Sequence, residues 1–217
     1  MTAERFDEDY FRAHYSDYEL QNPPAKLKWY ERAVRGWTDS RPIRLLDIGC
    51  GLGSFAGHMS GDTDVVVHAT DVSEFAISSN RARFPGVTWE VASATAAPWP
   101  ESSFDVVTAF DVLEHLNDPS RALIAASQML TKEGTFIAVV PVYDGPSGPF
   151  IRRLDRDPTH VNRWTRNRWL QLVAEHFNVV EWSGAFRYRL PLGPYIHVPS
   201  RLFRRATPAV MIVGRQR

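Results

Sequence analysis

The chain has 217 residues, no net formal charge and a single cysteine, Cys50. That length suits one α/β domain with a modest lid and no second catalytic domain. Zero net charge removes any global electrostatic case for a nucleic-acid partner, and one cysteine excludes an intramolecular disulfide.

No apolar run approaches the ~18 residues of a membrane span, and the acidic N-terminus lacks a charged-then-apolar signal pattern. A soluble, cytoplasmic protein is expected. The charge is unevenly spread: Glu4, Asp7, Glu8, Asp9, Asp17 and Glu19 crowd the start against Arg5 and Arg12. After Glu181 the only charged residues are Arg187, Arg189, Arg201, Arg204, Arg205, Arg215 and Arg217. This basic end reads either as a solvated edge or as a surface for an anionic substrate or lipid headgroups, so peripheral membrane contact stays open.

Taken in order, Phe6 to Tyr18 is aromatic and acidic at once. Tyr10, Phe11, Tyr15 and Tyr18 recur at a spacing that suits helix packing. Lys26 to Trp37 places Leu27, Tyr30, Ala33, Val34 and Trp37 on one helical face, with Lys28, Glu31, Arg32 and Arg35 opposite. Ile43 to Ile48 reads as a buried strand and Val65 to Thr70 as a second, followed by a helix near Glu74 to Arg83. Val87 to Val91 and Phe104 to Phe110 are further strands. Pro119 to Leu130 is a helix with Ala122, Leu123, Ala126 and Leu130 inward, and Gly134 to Val140 is a fifth strand stopped by Pro141.

Val142 to Arg163 then reads as a long ordered loop. Thr165 suits the N-cap of a helix running to His176. Phe177 to Arg187 and Ala209 to Gly214 are the last strands, and Tyr188 to Pro208 between them is an insertion where substrate choice would reside. Strands and helices alternating at this pitch require a parallel sheet wound on both faces, with ligands beyond the carboxyl ends of its strands.

One stretch carries the most information. Leu45-Leu46-Asp47-Ile48-Gly49-Cys50-Gly51-Leu52-Gly53-Ser54 is a strand, a glycine-rich turn and a helix start, and Asp71 ends the next strand. Glycine backbone permits the sharp turn and close ligand approach, and a carboxylate there reaches ribose hydroxyls. The turn reads G-x-G-x-G with Asp47 before it, whereas a dinucleotide fingerprint reads G-x-G-x-x-G. A pyrophosphate favours bare helix amides, while the ammonium of a methionine moiety favours a nearby carboxylate.

With LLDIGCGLGSFA, HATDVS (His68 to Ser73) and PWPESSFDVVTAFDVLEHLNDP (Pro98 to Pro119), the chain resembles the class I S-adenosylmethionine-dependent methyltransferases. The resemblance is close over residues 43 to 141. It implies an α/β, Rossmann-like, seven-stranded, mostly parallel sheet with helices on both faces and an antiparallel last strand. One domain would span 1–217, with 1–40 as lid helices whose Tyr10, Phe11, Tyr15 and Tyr18 are candidates to cover the cofactor, 41–141 as the cofactor core and 142–217 as substrate loops and the last two strands. It also implies S-adenosyl-L-methionine as cofactor, with S-adenosyl-L-homocysteine as product. Asp47, Gly49, Gly51 and Gly53 would border its methionine half, Asp71 and Val72 its ribose, Ser93 and Ala94 its adenine, and Asp111 would stand beside it. Many members carry an acidic residue where this chain has Ser93, a weaker acceptor for the adenine amino group.

The chemistry centres on Asp111-Val112-Leu113-Glu114-His115, with His160 in the later loop. On one helical turn Asp111 can converge with Glu114 or His115. His115, His160 and Glu114 are the candidate catalytic residues, the histidines as general bases. The string is also similar to that of metal-using branches, the ubiquinone-pathway O-methyltransferases and the enzymes that methylate RNA 3′-ends. Two carboxylates and two imidazoles could hold a divalent ion, although such strings are widespread in metal-free small-molecule methyltransferases, and no metal is assigned. The expected reaction is methyl transfer to a small-molecule or biosynthetic-intermediate acceptor, on oxygen first. A lipid-linked or anionic polymeric acceptor, or a catalytically silent cofactor-binding protein, are the alternatives. Trp164, Trp169, Tyr188 and Tyr195 could stack RNA bases, but no RNA-binding module fits in the length, and the tryptophans suit helix packing.

Overall fold

The computed structural model describes residues 6–14, 18–96, 98–145, 148–155, 157–189 and 195–217, without the side chains of His14, Tyr188 and Arg189. The expected cover residue Tyr15 and the Tyr188 ring therefore lie outside the described residues. Helices are α1 (Glu8–His14), α2 (Tyr18–Gln21), α3 (Pro24–Gly36), α4 (Ser54–Met59), α5 (Glu74–Arg83), α6 (Pro119–Met129), α7 (Gly148–Leu154) and α8 (Arg166–His176). Strands are β1 (Ile43–Ile48), β2 (Val65–Asp71), β3 (Thr88–Val91), β4 (Phe104–Phe110), β5 (Leu130–Pro141), β6 (Asn178–Arg189), β7 (Tyr195–Ser200) and β8 (Ala209–Arg215).

The first five strands pair in parallel in the order β3-β2-β1-β4-β5, as their apolar runs and intervening helices dictate. β8 then enters antiparallel between β5 and β6, and β7 pairs antiparallel on the outside of β6. The fold is therefore the expected mixed α/β sheet with antiparallel strands at the end.

Among the described residues it has one strand beyond the expected seven. Tyr195 to Ser200, read from sequence as part of an insertion, forms β7. Its proline hid it: Pro199 has no N–H to donate and is tolerated because β7 is the edge strand. The Val142 to Arg163 loop likewise contains the short α7.

Alternation along each central strand feeds two cores. Ile43, Leu45, Val106, Ile137, Val139, Met211 and Val213 pack under α3, α4 and α5 through Tyr30, Val34, Phe55, Met59 and Ile77. Leu46, Ile48, Val107, Phe136, Val140 and Ile212 pack under α6 and α8 through Leu123, Ala126, Trp169 and Val173. Trp169 is fully buried and stacks near Trp164, so both tryptophans serve the core and not a base-stacking platform. Helix starts are fixed locally: the Ser73 hydroxyl accepts from Ala76 N at 3.2 Å and the Thr165 hydroxyl accepts from Arg168 N at 3.3 Å. Among the described residues no helix is long and apolar enough to cross a membrane.

Candidate active site

At the carboxyl end of β1 the chain turns back on itself through residues that demand glycine. Gly49 has φ 68° and Gly53 φ 75°, both left-handed. A Cβ on Gly49 would lie 2.5 Å from the Val112 side chain, and one on Gly53 2.8 Å from Trp89. The turn is tied to β2, because the N–H groups of Gly49 and Cys50 both donate to Thr70 O, at 2.7 and 3.0 Å. Gly51 faces an open cavity of about 440 Å³ at the strand ends. Phe6, Tyr10 and Phe11 from the N-terminal segment line that cavity, and Phe6 and Phe11 dock on Ala76 of α5. The Tyr18 hydroxyl would lie 3.5 Å from a Cβ placed on Gly51.

Asp71, ending β2, is buried and holds the turn: it accepts from Gly51 N at 2.8 Å and from Ser73 N at 2.9 Å. Burial raises its pKa while these backbone donors pull it back. Its oxygens keep lone pairs for further donors. Asp47 is 4% exposed and accepts from the Thr108 hydroxyl at 2.7 Å. Desolvation, opposed by that hydrogen bond and reinforced by Asp71, pushes its carboxyl up to about 7. A buried carboxylate with no cationic partner among the described residues, facing a cavity, fits the ammonium of an amino-acid ligand. Val72, Ser93 and Ala94 line the same cavity, and the Ser93 hydroxyl is already engaged with Thr95, 3.0 Å from its hydroxyl.

The second cluster follows β4. Asp111 adopts φ 58°, which aspartate tolerates better than most residues. Its carboxylate accepts from Arg187 Nη1 of β6 at 2.6 Å, and Lys26 Nζ stands 4.0 Å away. Desolvation raises the Asp111 pKa, and these two cations overcome it, so its pKa is lowered. Asp111 is thus paired across the fold with Arg187, where its spacing in sequence allowed convergence with Glu114 or His115. Leu113–His115 form a single 3₁₀ turn. Glu114 there is 1% exposed, its Oε2 has no hydrogen-bond partner among the described residues, and burial followed by the nearby Asp111 charge lifts its pKa well above the usual range.

His115 Nδ1 lies 2.8 Å from the Thr159 hydroxyl, which itself donates to Asp157 at 2.5 Å. The hydroxyl must therefore accept from His115, which fixes a proton on Nδ1 and leaves Nε2 as an acceptor. Burial and then His160 lower the His115 pKa to about 4, so it is neutral at pH 7. His160 lies against His115, ring centroids 4.7 Å apart, with Nδ1 2.9 Å from Asp155 Oδ2 and 3.2 Å from the Tyr143 hydroxyl. Glu114, His115 and His160 offer ligand atoms within 4.8 Å of one another, a spacing that could also suit a divalent cation.

The sequence-derived residues thus gather on one cavity wall, except Gly53, which shapes the turn without lining it. Sequence reasoning missed Lys26, Tyr143, Asp155, Asp157, Thr159 and the role of Arg187. The string Asp155-Arg156-Asp157-Pro158-Thr159 carried a signal: overlapping turns in which Asp155 accepts from Asp157 N at 3.1 Å and Asp157 from Thr159 N at 2.8 Å.

Strand order, glycine turn and acidic β2 terminus together define a Rossmann-like domain for a nucleoside-type cofactor. A family described as a methyltransferase domain matches residues 46–138. An uncharacterized methyltransferase of Bacillus subtilis is 27% identical over 76% of this chain and 66% of its own length. The ubiquinone biosynthesis O-methyltransferase of Thiobacillus denitrificans is 37% identical over 46% of this chain and 47% of its own. The chain thus spans between about half and two thirds of these curated relatives. The Haloferax volcanii protein solved with the Trm112 methyltransferase activator superposes with a TM-score of 0.74 at 15% identity, covering 96% of each chain. By its matched domain, its relatives and its fold, the chain is similar to the class I S-adenosylmethionine-dependent methyltransferases.

Proposed function

We propose that this protein transfers the methyl group of S-adenosylmethionine to an oxygen of a small-molecule acceptor, with His160 as general base. The observation that carries this reading is the His160–Asp155 pair on the wall of the cavity that Asp47, Gly51 and Asp71 also line. The cofactor, when bound, supplies an electrophilic methyl group. Asp47 would hold its ammonium, Asp71 its ribose, and Ser93 with Ala94 its adenine. The aromatic N-terminal segment, residues 6–14 with α2, would close over the cavity as a lid.

An alcohol or phenol needs its proton removed as the oxygen attacks. Asp155 Oδ2 orients His160 through Nδ1, which leaves Nε2 to take that proton. His115, held neutral, offers a second acceptor, and burial favours the protonated form of Glu114, which in that form can donate to the acceptor. The O-methyltransferase relative supports the choice of oxygen over nitrogen.

Calorimetry with S-adenosylmethionine, S-adenosylhomocysteine and an NAD control tests the cofactor assignment, which fails if NAD binds and the other two do not. Labelled methyl transfer to a panel of phenols and alcohols then tests the chemistry. His160→Ala and Asp155→Asn should abolish turnover with cofactor affinity unchanged; near-normal turnover in both variants sinks the base assignment. If the trio holds a divalent ion instead, chelation should stop turnover and added Mg²⁺, Mn²⁺ or Zn²⁺ should restore it.

A lipid-linked acceptor is the second reading. Leu202 is 84% and Phe203 61% exposed, beside Arg201, Arg204 and Arg205. Apolar tips among arginines suit an anionic lipid surface. Sedimentation with anionic against neutral vesicles decides it: binding to neither removes this reading.

A further inference from the structure

One part of the cavity wall carries more positive charge than its own residues balance. It is assembled from Lys26 in the first turn of α3, Asp111 after β4, Arg187 of β6 and Tyr195 at the start of β7. Asp111 accepts one bond from Arg187, and Lys26 Nζ is 4.0 Å from the same carboxylate, beyond hydrogen-bonding range. Lys26 Nζ donates to Gln21 O at 3.3 Å, and an ammonium has three protons to place. Among the described residues Arg187 engages a hydrogen-bond acceptor only at Asp111, through Nη1.

The other titratable groups at hand supply no counter-charge. Burial raises the pKa values of Tyr30 and Tyr195 and lowers that of His197 to about 4, so all three are neutral at pH 7. Two cations therefore share one carboxylate. The Lys26 side chain is only 8% exposed, which makes its uncompensated charge costly. Lys26 nevertheless stays mostly protonated at pH 7, because burial lowers its pKa only to about 8.

A second anion would complete the set, and the surroundings indicate its shape. The rings of Tyr30 and Tyr195 each lie 5.7 Å from the ammonium, and Tyr30 stacks on Phe110 at 3.9 Å between centroids. This frame accepts a flat or apolar body with a charged end.

We propose that Lys26 and Arg187 form a carboxylate-binding subsite for the methyl acceptor, so that the substrate is a small organic acid with an apolar or aromatic body. The proposal rests on the cavity being the S-adenosylmethionine site. Carboxylate is also the chemistry of the cofactor's amino-acid tail, so the experiment must separate the two sources.

Protein saturated with S-adenosylhomocysteine is titrated calorimetrically with benzoate, phenylacetate and octanoate, and with their uncharged amides. The expected result is that at least one carboxylate binds at least about tenfold more tightly than its amide. Lys26→Met should erase that difference and Lys26→Arg preserve it, with S-adenosylhomocysteine affinity unchanged in both. Equal binding of acid and amide, or no binding of any of the three acids, overturns the proposal. Lys26→Met is also titrated with 5′-methylthioadenosine, which lacks the amino-acid tail. If the variant weakens S-adenosylhomocysteine but not methylthioadenosine, the subsite belongs to the cofactor and the proposal falls. Failure of the wild type to bind S-adenosylhomocysteine at all overturns the cofactor reading, and this proposal with it.

Discussion

Replacing Asp47 by Asn should stabilise the ligand-free protein at alkaline pH while impairing cofactor binding. The Asp47 carboxyl is almost wholly buried, and its pKa rises from 3.8 to about 7. Between those values the folded protein keeps a proton that the unfolded chain has released, so stability falls as pH rises through the window. At about 1.4 kcal/mol per pH unit, the gap amounts to about 4 kcal/mol above pH 7. Asn keeps an oxygen to accept from Thr108 and carries no charge to bury. For a domain of this size the gain corresponds to a melting temperature roughly 10 °C higher at pH 8, shrinking towards zero near pH 4. His115 and His197, both lowered to about 4, act in the opposite sense below pH 6.5, but they are present in both proteins and cancel. The assay is thermal unfolding of both proteins from pH 4 to 8, with S-adenosylhomocysteine titrated alongside. A melting difference independent of pH would refute the reasoning.

Asp71→Ala removes the acceptor for Gly51 N and Ser73 N, and should weaken S-adenosylhomocysteine at least about tenfold with the fold retained; unchanged affinity in calorimetry would show the ribose assigned to the wrong carboxylate. Gly49→Ala should cost about 2 kcal/mol in urea unfolding, from its φ of 68° and the Val112 clash, and adding Val112→Ala should recover only the steric part. Arg166→Met should cost about 3 kcal/mol, because the buried guanidinium donates to Arg205 O and Thr207 O and pairs with Asp144. A loss below about 0.5 kcal/mol in the same assay would show that water replaces those bonds.

What could be read from sequence was what local physics decides. β1, β4 and α5 carry their own boundaries, in apolar runs and in the Ser73 cap. The glycine turn was legible because no other residue permits its backbone so close to Val112. Lys26 was not legible, since a lysine at the start of an amphipathic helix ordinarily faces water, and its partners lie on β6 and after β4. The pairing of Asp111 with Arg187 joins residues 76 apart in sequence, where helical spacing pointed to Glu114 and His115. β7 was hidden for another reason: only an edge position, assigned by topology, makes its proline acceptable.

The place of β8 has a consequence for the order of assembly. β6 and β7 leave the ribosome before β8, yet within the sheet they connect to the parallel strands only through it, because β8 lies between β5 and β6. The β6–β7 pair, which carries Arg187 and Tyr195, cannot join the sheet until residues 209 to 215 are made. The glycine turn and Asp71, all within the first 71 residues, face no such delay. The part of the cavity lined by the glycine turn and Asp71 can thus form during synthesis, while the part lined by Arg187 and Tyr195 is completed last.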